Sequence, residues 1–199
     1  MKIVKNIAPL LLIIIMSSCL DLQGSYDYEP YNCDPYLGVT AWEFIEQRQD
    51  TFSILKQAIE RVDTTSYPGM KNFYTQTDKK YTFLFLNDAG FTGSGGVFAN
   101  EGVSSVSEID SVKLRDILFY HIVDGNYHSL NVDGSLNFSP MNVITLLKSQ
   151  DAVMTMNISN ENSRTEYSRL YINESFIAVT SNLIPTNGVI HVFSQQLMP

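Results

Sequence analysis

Apolar residues recur at helical spacing in the first half of this chain and at strand spacing in the second. Thr40-Ala41-Trp42-Glu43 has the form of a capping box, in which hydroxyl and carboxylate satisfy each other's free amides, so a helix is expected from Thr40. A second helix, with Asp50 as its cap, carries Phe52, Leu55, Ile59 and Val62 as one apolar stripe. Tyr67-Pro68-Gly69 interrupts that pattern. A strand then runs from Tyr81 to Leu86, with a turn at Asn87-Asp88. A third helix starting near Ser107, with Asp110 in its first turn, carries Val112, Leu114, Ile117 and Leu118. Ser139-Pro140 offers a cap followed by proline at a first helical position, which predicts a short helix through Val143, Ile144 and Leu147.

From Ala152 onward the pattern changes to strands. "AVMTMNI", "RLYIN", "FIAVT" and "VIHVF" are separated by Asn-, Ser- and Gly-containing turns. In the last of them Val189, His191 and Phe193 point one way and Ile190 and Val192 the other, so both faces are covered. Helices early and an antiparallel meander late, with one strand before it, predict an α+β, mainly β fold: a β-sandwich with helices packed on one side.

Composition narrows the function classes. Apolar residues make up 44% and charged residues 17%, a globular balance. There are 13 basic and 21 acidic residues, a formal net charge of −8, which disfavours nucleic acid and anionic lipid as partners. The glycine-rich stretch "GFTGSGGVFANEG" lacks the Gly-Lys-Ser/Thr of a phosphate loop and predicts a flexible loop. Thr92, Gly93, Ser94, Gly95 and Gly96 within it form a candidate binding loop, since loops on a rigid scaffold carry recognition.

Candidate chemistry is sparse. Of the three histidines, His121 and His128 with Asp124 could be drawn as metal ligands, but their spacing is not that of a recurrent metal site. No HExxH, CxxC or Gly-x-Ser-x-Gly is present, so a hydrolase reading has no motif to rest on, and neither catalytic residues, metal nor cofactor is expected. Asn137, Asn157 and Asn173 each begin an Asn-x-Ser triplet.

The chain opens with Lys2 and Lys5, then Leu10-Leu11-Leu12-Ile13-Ile14-Ile15, a run too short to span a bilayer and of the form of a secretion signal. Ser17-Ser18-Cys19 resembles the lipobox of bacterial lipoproteins, which implies cleavage before Cys19 and its acylation. The alternative is a plain signal peptide with an incidental cysteine. Residues 1–18 are then the leader, 19–36 the lipidated cysteine with a Tyr- and Pro-rich linker, and 37–199 the domain. Each buried methylene of a lipid contributes about 0.8 kcal/mol, so several acyl chains tether the protein to the membrane. Cys33 would be a free thiol or form an intermolecular disulfide.

Three segments resemble the fasciclin domain family: Thr82 to Phe91, Ile117 to Gly125 ("ILFYHIVDG"), and Asn187 to Pro199 ("NGVIHVFSQQLMP"). The first differs from the family in carrying Phe85-Leu86 for Pro-Thr and an additional Gly90, and the third has Ser194 for the usual Asp. The resemblance implies a fasciclin-like sandwich whose last strand lies inside the fold. Asn87, Tyr120, His121, Gly125, Asn187, Gly188 and His191 become the family's motif residues, mainly structural. His191 should then be buried and hydrogen-bonded. The implied function is an extracytoplasmic binding or adhesion module on the bacterial cell envelope, lipid-anchored to the outer membrane, with a protein or polysaccharide partner. The alternative is an accessory scaffold subunit of an envelope complex.

Overall fold

A computed structural model describes residues 34–128, 140–159 and 169–198. The leader with Cys19, as well as Cys33, Asn137 and Ser139, lie outside the described residues.

The first helix among the described residues, α1 (Ala41–Gln47), starts on the expected capping box: Glu43 N–H donates to Thr40 Oγ1 at 3.2 Å and Thr40 N–H to Glu43 Oε2 at 2.7 Å. The next, α2 (Gln49–Thr65), buries the expected stripe of Phe52, Leu55, Ile59 and Val62. Its expected cap is wrong. Asp50 lies inside the first turn, bound to the Arg48 guanidinium at 3.2 Å. Phe52 leaves helical geometry (φ −125°, ψ 26°), turning its ring toward Phe85 at 5.5 Å. Beyond that kink Asp88 serves as the cap, from elsewhere in the chain: its carboxylate accepts Ile54 N–H at 2.9 Å and the Ser53 hydroxyl at 2.7 Å. A one-turn helix, α3 (Asn72–Thr75), follows the predicted break at Tyr67-Pro68-Gly69.

Strand β1 (Tyr81–Leu86) forms where expected, and Asn87 then caps α4 (Asp88–Thr92) by accepting Gly90 N–H at 2.9 Å. The glycine-rich stretch is not the flexible loop that its composition predicts. It holds α4 and α5 (Val97–Glu101), with Phe91 and Val97 fully buried. A side chain at Gly96 would sit 2.7 Å from the Phe91 carbonyl oxygen, so glycine here permits tight packing. The following helix, α6 (Ser111–Tyr120), begins later than Ser107, which lies in a separate 3-10 turn (Val106–Glu108). Ile109 is buried between them in extended backbone, and Arg61 takes the carbonyls of Val106 and Ile109. Asp110 is the N-cap of α6, its carboxylate accepting Val112 and Lys113 N–H at 3.0 Å each. Leu114 and Leu118 are buried as expected, whereas Val112 is 46% exposed.

The helix expected after Ser139-Pro140 is instead strand β3 (Met141–Ile144). Spacing in so short a segment fits either element. The antiparallel ladder with β4 (Val153–Ser159), from Met141↔Met156 to Ile144↔Val153, decides it. Strand β5 (Arg169–Ile172) pairs with β4, and β6 (Phe176–Ile177) with β5, completing a meander of order β3-β4-β5-β6. "FIAVT" is not one strand. Ala178 N–H donates to Leu170 in that meander, but Val179 N–H donates to Val192 in the other sheet. The chain therefore changes sheets between them and continues as β7 (Thr180–Leu183).

The second sheet has the order β2-β1-β8-β7, with β2 (Ile122–Asp124) and β8 (Gly188–Phe193) flanking β1. β1 and β8 run parallel, from Tyr81↔Gly188 to Leu86↔Phe193, and all six residues of each are buried. Phe83 and Phe85 face the helices, meeting Tyr74 at 5.3 Å and Phe52 at 5.5 Å. The two sheets join where Val123 bridges Thr145 and Leu146 N–H donates to the Ile122 carbonyl at 2.8 Å. Helices with two mostly antiparallel sheets form the α+β class that the sequence predicts.

Candidate functional site

Of the sequence-predicted motif residues, Asn187, Gly188 and His191 lie at or on β8, Tyr120, His121 and Gly125 between the end of α6 and the loop after β2, and Asn87 at the end of β1. The polar side chains among them all hydrogen-bond within the fold. Asn187 is fully buried. Its Oδ1 accepts Ala41 N–H at 2.8 Å, satisfying a free amide at the start of α1, and its Nδ2 donates to the Tyr74 carbonyl at 2.9 Å. One amide thus joins the entry to β8 to two helices. Gly188 follows because no other residue fits: a Cβ there would lie 1.9 Å from the Tyr81 oxygen. Asn87, the other motif asparagine, is the cap of α4.

His191, 1% exposed, places Nε2 3.0 Å from the Tyr127 carbonyl, while its Nδ1 accepts Asn182 N–H at 3.2 Å. Those partners require a neutral ring protonated on Nε2. Burial lowers its pKa to about 4, against the opposing effect of the Tyr127 carbonyl and with a smaller lowering by His128. His121 holds the opposite tautomer. Its Nδ1–H donates to the Ile117 carbonyl at 2.8 Å and its Nε2 accepts Leu197 N–H at 3.2 Å. Burial lowers it to about 4 as well.

Tyr120 is 4% exposed, and its hydroxyl accepts the Asn173 amide at 3.0 Å. Burial raises its pKa. Gly125 has φ 125°, and a Cβ there would meet the Tyr127 ring at 2.7 Å. Thr82, fully buried on β1, donates to the Gly125 carbonyl at 2.9 Å and accepts Tyr127 N–H at 2.8 Å. The loop after β2 is therefore held by Thr82 and His191 together.

Three residues that the motif reading did not single out complete the network. Asn173, in left-handed backbone (φ 48°), accepts Thr155 N–H at 2.9 Å and donates to the Met198 carbonyl at 2.8 Å as well as to Tyr120. Gln196 N–H donates to the Gly95 carbonyl at 3.0 Å, and Asn100 donates to Gln196 Oε1 at 2.7 Å. The segment 196–198 is thus latched by His121, Asn173, Gly95 and Asn100. For Asn173 the sequence offers one signal, an Asn-x-Ser triplet at a turn; for Gln196 it offers none.

In the candidate binding loop Thr92, Ser94 and Gly95 are exposed, Gly93 is half-buried and Gly96 is buried. His121 and His191 have their ring nitrogens in separate backbone contacts, and Asp124 pairs with Lys79 at 2.7 Å. Among the described residues no group of three His, Cys, Asp or Glu is placed to hold a metal. None of their helices is long and apolar enough to cross a membrane.

The family model of the fasciclin domain matches residues 50–199, three quarters of the chain. The chain belongs to the fasciclin domain family, a family of adhesion-type extracellular modules. Among solved structures it is similar to the FAS1 domain pair of the insect cell adhesion molecule fasciclin I, at 20% identity and a TM-score of 0.48, over 72% of this chain and 45% of that one. The chain thus spans less than half the length of that pair. No curated protein matches.

Proposed function

We propose that this chain is a membrane-anchored, extracytoplasmic binding or adhesion module of the bacterial cell envelope, contacting a protein or polysaccharide through its surface rather than catalysing a reaction. The observation that carries this reading is the internal use of its motif chemistry. His121, His191 and Asn187 spend their ring nitrogens and amide on backbone groups inside the fold. That leaves recognition to exposed positions such as Thr92, Ser94 and Gly95, presented on a scaffold packed around β1 and β8. The anchor in this proposal is acylated Cys19, which holds the domain on the outer membrane.

Protease shaving of intact cells, with a periplasmic protein as the lysis control, tests the outward-facing reading. Release of the domain from whole cells supports it. Protection until the envelope is broken overturns it in favour of an accessory scaffold subunit, which a co-purifying envelope partner would identify. Loss of membrane association in Cys19→Ala tests the anchor separately.

A further inference from the structure

A groove of about 470 Å³ opens where α6, the turn at Tyr67–Phe73 and the segment after β3 come together. Its floor is aromatic. Phe119, 8% exposed, is met edge-to-face by Tyr67 at 5.0 Å and 87° and by Phe73 at 5.7 Å and 89°. At these separations the rings are in contact with one another, so a ligand lies across their exposed faces and edges rather than between them. Leu146 and Leu147 line it as well, and their backbone is fixed: Leu146 N–H donates to Ile122 and Leu147 N–H to Thr145 Oγ1 at 3.3 Å. The groove lies within the size range of small-molecule sites, roughly 300–1,000 Å³.

Charge defines the other half of the ligand. Arg115 and Asp116 both line the groove, and Arg115 donates to Asp116 Oδ1 from Nε at 2.9 Å and from Nη2 at 2.7 Å, so this pair is internally neutralised. Lys148 is exposed beside them and has no ion pair among the described residues. Ser149 stands next to it, its oxygen already accepting Asp151 N–H at 3.1 Å and its hydroxyl hydrogen still able to donate. A protein of net charge −8 therefore carries, at one ring-lined groove, an ammonium with no ion pair among the described residues and a hydroxyl donor beside it.

We propose that this groove binds a small monocarboxylate with a planar apolar body, of the aromatic-acid class. The ring lies against Phe119, Tyr67 and Phe73, and the carboxylate meets Lys148 and Ser149. None of the groove's residues belongs to the Thr92–Gly96 loop or to the Tyr120–His121 pair, so the inference stands apart from the adhesion reading.

Three probes of one shape and different charge test it: 3-phenylpropionate, 3-phenylpropan-1-ol and 3-phenylpropylamine. Each is titrated into the full chain while the Leu146 and Leu147 methyl resonances are followed. The acid is expected to shift them saturably, the alcohol to bind about tenfold more weakly for want of the charge-assisted contact, and the amine to give no saturable shift. Lys148→Gln, an exposed change that leaves the fold intact, should erase the acid's advantage over the alcohol. Equal binding of acid and amine, an unchanged preference in Lys148→Gln, or no saturable shift with the acid would each overturn the proposal.

Discussion

The two sheets of this protein are held to different standards. In the sheet of β1 and β8, every position of both central strands is buried, and the side chains at their ends fasten helices and loops in place. In the meander, β3 and β4 alternate: Val143, Met154 and Met156 face in, while the cross-strand pair Ile144 and Val153 is 62% and 49% exposed. A strand covered on both faces has no tolerant position, because each substitution changes either packing or a buried hydrogen bond. A half-covered strand has one at every second residue. Two of the three family-like segments run along strands of the first kind, β1 and β8, and the other lies on α6 and β2.

That contrast can be broken at several points. The largest effect is expected from removing residues 187–199, which takes β8 away from both β1 and β7. Such a chain should show no cooperative melt by circular dichroism, and a soluble, two-state truncation would refute the central role of that strand. Gly188→Ala comes next. A methyl group 1.9 Å from the Tyr81 oxygen cannot be accommodated without moving β1 from β8, at a cost of about 3 kcal/mol or more in urea unfolding. Asn187→Ala strands the Ala41 N–H and the Tyr74 carbonyl together, and about 3 kcal/mol is expected there too, with a lower melting temperature as the readout.

Acid should separate the regions further. His121 and His191 belong to the network around β1 and β8, and both are buried neutral with pKa values of about 4, against an ordinary 6.5. Above pH 6.5 neither the folded nor the unfolded chain protonates them, and stability is unaffected. Between 6.5 and about 4 the unfolded chain takes up protons that the folded chain refuses. Stability then falls with decreasing pH, by about 1.4 kcal/mol per unit for each histidine, and levels off below about 4. Urea midpoints measured at intervals from pH 7 to 5 should show this slope, and His121→Gln should flatten it by about half. The smallest effect belongs to the meander: Ile144→Thr, on its exposed face, should stay within about 0.5 kcal/mol of the parent protein.

Much of the sheet of β1 and β8, and of the helix α2 above it, was legible in advance because the signals are local or continuous, although the parallel pairing of β8 with β1 was not. "VIHVF" is apolar on both faces, Asn187-Gly188 announces a turn, and the Phe52, Leu55, Ile59 and Val62 stripe has one period. What sequence could not show was settled by partners distant in the chain. Residues 140–147 fit a helix or a strand until Met154 and Met156 are placed opposite them. The cap beyond the α2 kink is Asp88, which no spacing rule connects to Ile54. "FIAVT" reads as one strand, and only the competing acceptors Leu170 and Val192 divide it. The glycines at 93–96 resemble a loose loop by composition, yet their freedom from side chains lets Phe91 and Val97 pack. The burial of His191 was legible; its partners Tyr127 and Asn182 were not, because backbone groups leave no mark in residue identity.

The pairing of β1 with β8 also sets an order of events. Asn187 meets Ala41 from 146 positions away, and β1 gains its parallel neighbour only when the last strand arrives. A chain emerging from a ribosome cannot complete this core early; its helices and β1 wait with an apolar edge exposed. Contacts so distant in sequence make folding slow, since the loop between them must close before the contacts form. Until β8 joins, the open edge of β1 can be taken by a strand of another chain, so this topology carries its aggregation hazard before folding is complete rather than after it.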